Sequence, residues 1–250
     1  MRKKLIVGNW KMNMLRSESA ELAGKLTEVI KSSNADVVIA PPYTSLEAVY
    51  GVLRGTDLHL GAQDVFWENS GAFTGEISPY MLIDAGCRWV IIGHSERRGM
   101  LCETDDMVCK KVRASLSSGL IPIVCVGETL EEREEGKTMR VVKSQIENGL
   151  NDLSLDNTHK IAIAYEPVWA IGTGKNATPD EAEEVHRFIR ETLKGAFGKV
   201  ADELRILYGG SVTPANIKGL LSPPDIDGAL VGGSSLKADS FAKIVQLAGE

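Results

Sequence analysis

The chain has 250 residues, 43% of them hydrophobic and 25% charged, with 25 glycines. This composition excludes disorder, collagen and coiled coil, and the length is sufficient to bury a full core. Lys and Arg number 28 against 34 Asp and Glu, a formal charge of −6, so no general attraction for nucleic acid or an anionic membrane is expected, although a small, locally positive site could still hold an anion.

Apolar runs and helical periodicities alternate along the chain. LIVGNW from Leu5 is followed by Ser17 to Lys31, where Ala20, Leu22, Ala23, Leu26, Val29 and Ile30 share one broad face. Next come DVVIAPP from Asp36, LHLGAQD from Leu58 and WVIIGH from Trp89, then a helical pattern over Asp105 to Leu116. IPIVCVGE from Ile121 precedes a second pattern over Met139 to Leu150, and KIAIAYEP from Lys160 precedes a third over Pro179 to Leu193. Thr178 fits an N-cap there, with proline at the first helical position and Glu181 completing a capping box. RILYGGS from Arg205, a short segment after Pro214, GALVGGS from Gly228 and a helical stretch from Leu236 to Leu247 close the chain.

The runs are nearly continuous in Val, Ile, Leu and Ala, as suits strands of a parallel sheet with no wet face. Strict strand–helix alternation, eight times over and without a linker, predicts one α/β domain over residues 1–250. A closed (β/α)8 barrel, eight parallel strands with outer helices, fits this length best, and a doubly wound open sheet is the rival. No run approaches the ~18 consecutive apolar residues of a membrane helix. The opening MRKKLIVGNWKMN has too short an apolar part for a signal peptide, so a soluble, cytoplasmic protein is expected. Cys87, Cys102, Cys109 and Cys125 show no metal-ligand spacing and read as reduced thiols, with Cys125 buried and inert.

In either fold the site lies at the carboxyl ends of the strands. Those ends carry Asn9 and Lys11, Gln63 and Asp64, His94 and Glu96, Glu128, Glu166, Gly209–Gly210–Ser211, and Gly232–Gly233. Paired glycines let backbone N–H groups approach a phosphate, or they serve tight turns that need positive φ. Lys11 reads as a surface charge or a site ammonium, and His94 as a core histidine or a donor. His59, His159 and His186 read as structural or surface residues. Glu166 follows the apolar IAIAY and precedes Pro167, a setting that makes a carboxylate more basic. Glu128 heads an acidic stretch and reads as structural or solvated. VWAIGTGKNA after Pro167 has the composition of a lid. It also gives loose matches to the dinucleotide and Walker patterns, both of which fail on context. No G-x-S-x-G elbow is present.

GNWKMN, GAFTGEIS, IIGHSERR, CVGETLEER, AYEPVWAIGTGK, YGGSV and VGGSSL occur in that order over nearly the whole chain, which closely resembles the triosephosphate isomerase family. This family is itself a standard illustration of lid closure and of a carboxylate base working beside a neutral imidazole. The resemblance implies a TIM barrel that interconverts dihydroxyacetone phosphate and D-glyceraldehyde 3-phosphate. It implies Glu166 as base, His94 as electrophile, Lys11 and Asn9 at the substrate oxygens, and Glu96 in support. Gly172, Ser211, Gly232 and Gly233 are implied at the phosphate. No metal or organic cofactor is implied. The long connection from Gln63 to Ser78, with apolar Phe66, Trp67, Ala72 and Phe73, either packs on its own barrel or, as the resemblance implies, inserts into a second subunit with Thr74 near the neighbour's site. A homodimer is therefore expected. Asp64, where Asn is frequent in the family, and Asn176 depart from its pattern. The alternatives are another phosphosugar isomerase or epimerase, and a non-catalytic barrel that binds phosphates or partners.

Overall fold

The computed structural model describes residues 2–153, 161–170 and 177–250. Its strands are β1 (Leu5–Asn9), β2 (Asp36–Ala40), β3 (Leu58–Ala62), β4 (Trp89–Ile92), β5 (Ile121–Val126), β6 (Ala162–Tyr165), β7 (Arg205–Tyr208) and β8 (Gly228–Val231). Each pairs in parallel with the next, and β8 pairs with β1 to close a barrel, so the open-sheet alternative is wrong. Closure leaves no sheet edge and puts both strand faces in dry surroundings. Leu5, Val7, Val38, Ala40, Ile91, Ile123, Cys125, Ala164, Leu207 and Leu230 cluster inside the barrel. Their neighbours in sequence, such as Ile6, Val37, Ile39, Ile92, Val124, Val126, Ile163 and Ile206, pack under the helices.

The helices are α1 (Arg16–Val29), α2 (Leu46–Leu53), α3 (Pro79–Asp84), α4 (Ser95–Met100), α5 (Asp105–Ser118), α6 (Leu130–Glu134), α7 (Thr138–Gly149), α8 (Pro179–Phe197), α9 (Ile217–Leu221) and α10 (Ala238–Ala248). The buried stripe of α1 is Ser19, Leu22, Ala23 and Leu26, while Val29, predicted to lie on that face, is 55% exposed. The Thr178 cap is present: its side chain accepts from Glu181 N–H, and the Glu181 carboxylate accepts from Thr178 N–H. α2, α3, α4 and α6 have at most eight residues, too few turns for an apolar period to register. All four cysteines are free thiols, and burial pushes the Cys125 thiol well above its ordinary range. No helix among the described residues is long and apolar enough to cross a membrane.

Candidate active site

At the carboxyl ends of the strands lies a cavity of about 250 Å³. Asn9, Lys11, His94, Glu166, Ser211, Gly232 and Gly233 line it. Larger hollows, of about 580 and 700 Å³, lie between outer helices, away from the strand ends. Closure of β8 on β1 thus brings together residues more than 200 positions apart, Asn9 and Lys11 with Gly232 and Gly233. Gly172 and the lid segment through Asn176 lie outside the described residues, as does His159.

Glu166 follows β6 and is 2% exposed. One carboxylate oxygen, Oε2, accepts from Ser95 N–H at 2.8 Å, and Oε1 lies 2.9 Å from His94 Nε2. Burial pushes this carboxyl up, but the facing His94 ring, the Ser95 N–H and Lys11 outweigh it, and the net direction is down. The expectation of a more basic carboxylate is therefore corrected for the resting site: the apolar wall is present, but a hydrogen-bonded imidazole sits against it.

His94 caps α4, and its Nδ1 accepts from Glu96 N–H at 3.2 Å. Burial pulls the imidazole down, whereas the carboxylates of Glu166 and Glu96 more than offset it and move it up. The backbone bond works the other way: an Nδ1 that accepts from an N–H carries no proton, so this contact favours the neutral tautomer with its hydrogen on Nε2, facing Glu166.

Lys11 has φ +51°, an unusual conformation for a side-chain-bearing residue. Its N–H donates to Asn9 Oδ1 at 3.0 Å, and its carbonyl accepts from Gln63 Nε2 at 2.9 Å. The ammonium pairs with Glu96 Oε1 at 2.6 Å. The surface-charge reading of Lys11 gives way to an ammonium held at the cavity, and Glu96 is its partner.

Gly209, Gly210, Gly232 and Gly233 are not among the glycines with positive φ, so the tight-turn reading of these pairs fails. Closeness accounts for three of them. A Cβ on Gly209 would stand 2.8 Å from Glu166 Cγ, one on Gly210 2.3 Å from Tyr208 Oη, and one on Gly232 3.4 Å from Lys11 Cε. A Cβ on Gly233 would meet nothing within 4 Å and would project into open space. The two loops are tied by Ser234 Oγ, which donates to Val212 C=O at 2.6 Å.

Several residues matter more than their sequence context suggested. Glu128 is fully buried rather than solvated and accepts from Tyr165 Oη at 3.1 Å and Trp169 Nε1 at 2.9 Å. Arg98 and Gln145 bind backbone beside Glu166. Asp64, Arg97, Glu103 and Lys111 form a ring of ion pairs between 2.6 and 2.8 Å. Lone polar residues within apolar stripes, such as Gln145 three positions after Val142, were the available signal. His59 is half-buried and His186 fully buried, neither at the cavity.

A closed parallel barrel with a polar mouth at its strand ends defines the TIM-barrel class. The triosephosphate isomerase family model matches residues 4–248. The triosephosphate isomerase of Citrifermentans bemidjiense is 54% identical over 248 residues, covering 98% of this chain and 99% of that protein. Those of Thermoanaerobacter sp. and Moorella thermoacetica are 54% and 52% identical, with 98% of this chain covered in each case. The chain belongs to the triosephosphate isomerase family and is an isomerase.

Proposed function

We propose that the chain interconverts dihydroxyacetone phosphate and D-glyceraldehyde 3-phosphate through an enediolate. The observation that carries this reading is the convergence of Glu166, His94 and Lys11 with the Gly232–Gly233 loop on one small cavity. The Glu166 carboxylate, ionised at neutral pH because its pKa is held down, removes the proton from carbon 1 of the ketone. Charge then develops on the oxygen at carbon 2. Lys11 and the Nε2–H of neutral His94 stabilise it, and His94 moves a proton between the two oxygens. Protonated Glu166 returns its proton to the adjacent carbon 2. Substrate must part Glu166 from His94 on entering, and removal of that hydrogen bond leaves burial to raise the basicity of the carboxylate. Asn9 orients the substrate, Glu96 supports Lys11, and Ser211, Gly232, Gly233 and Gly172 hold the phosphate.

We also infer a homodimer through the Gln63–Ser78 loop, with Thr74 near the partner's cavity. In its support, Met12 is 95% exposed, Met100 79% and Leu101 60%, and Phe73 and Met81 are exposed as well. Met12 adjoins Lys11, whose carbonyl accepts from Gln63 of the loop, and Met100 ends the helix that carries Arg97, the partner of Asp64 in the loop. Such apolar exposure suits a covered surface.

The test is a coupled assay of glyceraldehyde 3-phosphate isomerisation by the parent and Glu166→Gln. Fast turnover by the parent and a loss of ~10²–10⁴ or more in the variant are expected. Equal turnover in both would remove Glu166 as base, and none in either would leave a non-catalytic phosphate-binding barrel.

A further inference from the structure

β4 ends at Ile92, but the chain of β5 runs on as Gly127–Glu128 beside Glu166–Val168. Two rungs mark this extension: Glu166 N–H donates to Val126 C=O at 2.8 Å, and Val168 N–H donates to Glu128 C=O at 3.1 Å. The alternate residues of β5 turn their backbone groups the other way, toward β4, as Ile121 N–H does in donating to Arg88 C=O at 2.9 Å. Beyond Ile92 no strand among the described residues meets them, and a buried backbone group needs a partner.

Two side chains stand in for the missing strand. Arg98 donates from Nη2 to Cys125 C=O at 3.2 Å, from Nε to Gly93 C=O at 2.8 Å and from Nη1 to Asp105 at 2.6 Å. Gln145, on the inner side of α7, completes the next position. Its Oε1 accepts from Gly127 N–H at 2.7 Å and its Nε2 donates to Gly127 C=O at 3.1 Å. A primary amide thus does what the peptide group of a neighbouring strand would do. Gly127 in turn lies hard against the residue proposed as base: a Cβ built on it would fall 1.8 Å from the Glu166 carbonyl oxygen. A hollow of about 240 Å³ bounded by Ser95, Arg98, Gly127, Gln145 and Val168 adjoins Glu166 on this side. There the Gly127 backbone is held by hydrogen bonds from the Gln145 amide.

We propose that Gln145 is a positioning residue for the general base, fixing Gly127 and through it the placement of Glu166. The proposal rests on Glu166 being the base. Displacements well under 1 Å matter at a proton-transfer centre, whereas binding of the distant phosphate is indifferent to them. Loss of Gln145 should therefore appear in kcat and not in KM.

The experiment compares the full chain carrying Gln145→Leu, Gln145→Glu, Glu166→Gln, and Gln145→Leu with Glu166→Gln. Gln145→Leu should lower kcat about tenfold or more with KM within about twofold. In the Glu166→Gln background it should cause no further loss, because there is no base left to place. Gln145→Glu adds a readout that a merely structural role would not move. Its neutral acid can both accept from Gly127 N–H and donate to Gly127 C=O, whereas its carboxylate can only accept. Its kcat relative to the parent should climb as pH falls from about 8 to about 5, and this ratio decides the matter if Gln145→Leu fails to fold. A lowered thermal midpoint with unchanged kcat and KM, a loss that persists undiminished without Glu166, or a flat ratio for Gln145→Glu would overturn the proposal. Full activity of Glu166→Gln alone would instead overturn the assignment of the base.

Discussion

At Glu166 burial favours the neutral acid, while the His94 ring and the Ser95 N–H favour the carboxylate. The second influence wins at rest, which keeps the proposed base in its proton-accepting form. Space around the carboxylate is equally constrained, because Gly209 leaves only enough room for a hydrogen beside Glu166 Cγ. Gly209→Ala should displace the carboxylate, lowering kcat about tenfold or more, at a stability cost of about 1–3 kcal/mol from overpacking. Steady-state kinetics alongside thermal unfolding would check it, and unchanged kcat would show that the carboxylate does not depend on this contact. Asp64 shows a different residue-scale balance. Two cations, the buried Lys111 and the partly exposed Arg97, are met by two carboxylates, Asp64 and Glu103, and Glu103 also accepts from Gly93 N–H at 3.1 Å, next to His94. An amide at position 64 would leave the ring one charge short, which is a physical reason for the acid found there.

Among the elements, α8 carries the most unusual buried stripe. Ala182, Val185, Ile189, Leu193 and Phe197 share it with His186 and Arg190. Arg190 is satisfied by Asp227 at 2.6 Å, Asp225 at 3.0 Å and the carbonyl of Ala201 at 2.8 Å. Among the described residues His186 has only Asp225 C=O, at 3.3 Å from Nδ1, and burial pushes its imidazole down to about 3. The unfolded chain binds a proton at this histidine below about pH 6.5, and the folded chain does not until about pH 3. The stabilisation from keeping it neutral is therefore full above the unfolded value. It declines as pH falls through that window, at up to about 1.4 kcal/mol per pH unit. His186→Phe, which keeps a ring beside Tyr165 and Tyr208, should flatten the acid limb of stability against pH by about one proton. Urea unfolding from about pH 7 to about pH 4 would measure this, and parallel curves for the two proteins would refute it.

At the scale of the whole molecule, the exposed apolar surface around the Gln63–Ser78 loop makes association the main expectation. The rings of Phe66 and Trp67 stack with centroids 4.0 Å apart, and those of Phe66 and Phe73 meet at 4.7 Å, so the loop presents a cluster of aromatic side chains. If the proposed dimer forms through this loop, Phe73→Asp should weaken it, with activity falling on dilution. Sedimentation velocity would follow it, and a fully active monomeric parent would remove the dimer from the account.

The eight strands were legible because both faces of a closed parallel sheet are dry, which leaves continuous apolar runs. The long helices were legible from their period, and the convergence of Glu166, His94 and Lys11 on one cavity from their places at strand ends. Of the two readings of Glu128 the structure supports the structural one, because its acidic neighbours on α6 face water while it does not. Gln145 and Arg98 passed unnoticed since their partners lie 18 and 27 residues away, and Lys111 reaches Asp64 across 47. Order and type of the strands and long helices, and the family, were thus determined by the chain's residues alone, since periodicity and motif are local. Barrel closure, the short helices, the lowered Glu166 pKa and the side-chain stand-ins for a strand were decided only by the tertiary structure. Each depends on which distant group comes within hydrogen-bonding reach, and the order of residues along a chain does not specify that distance.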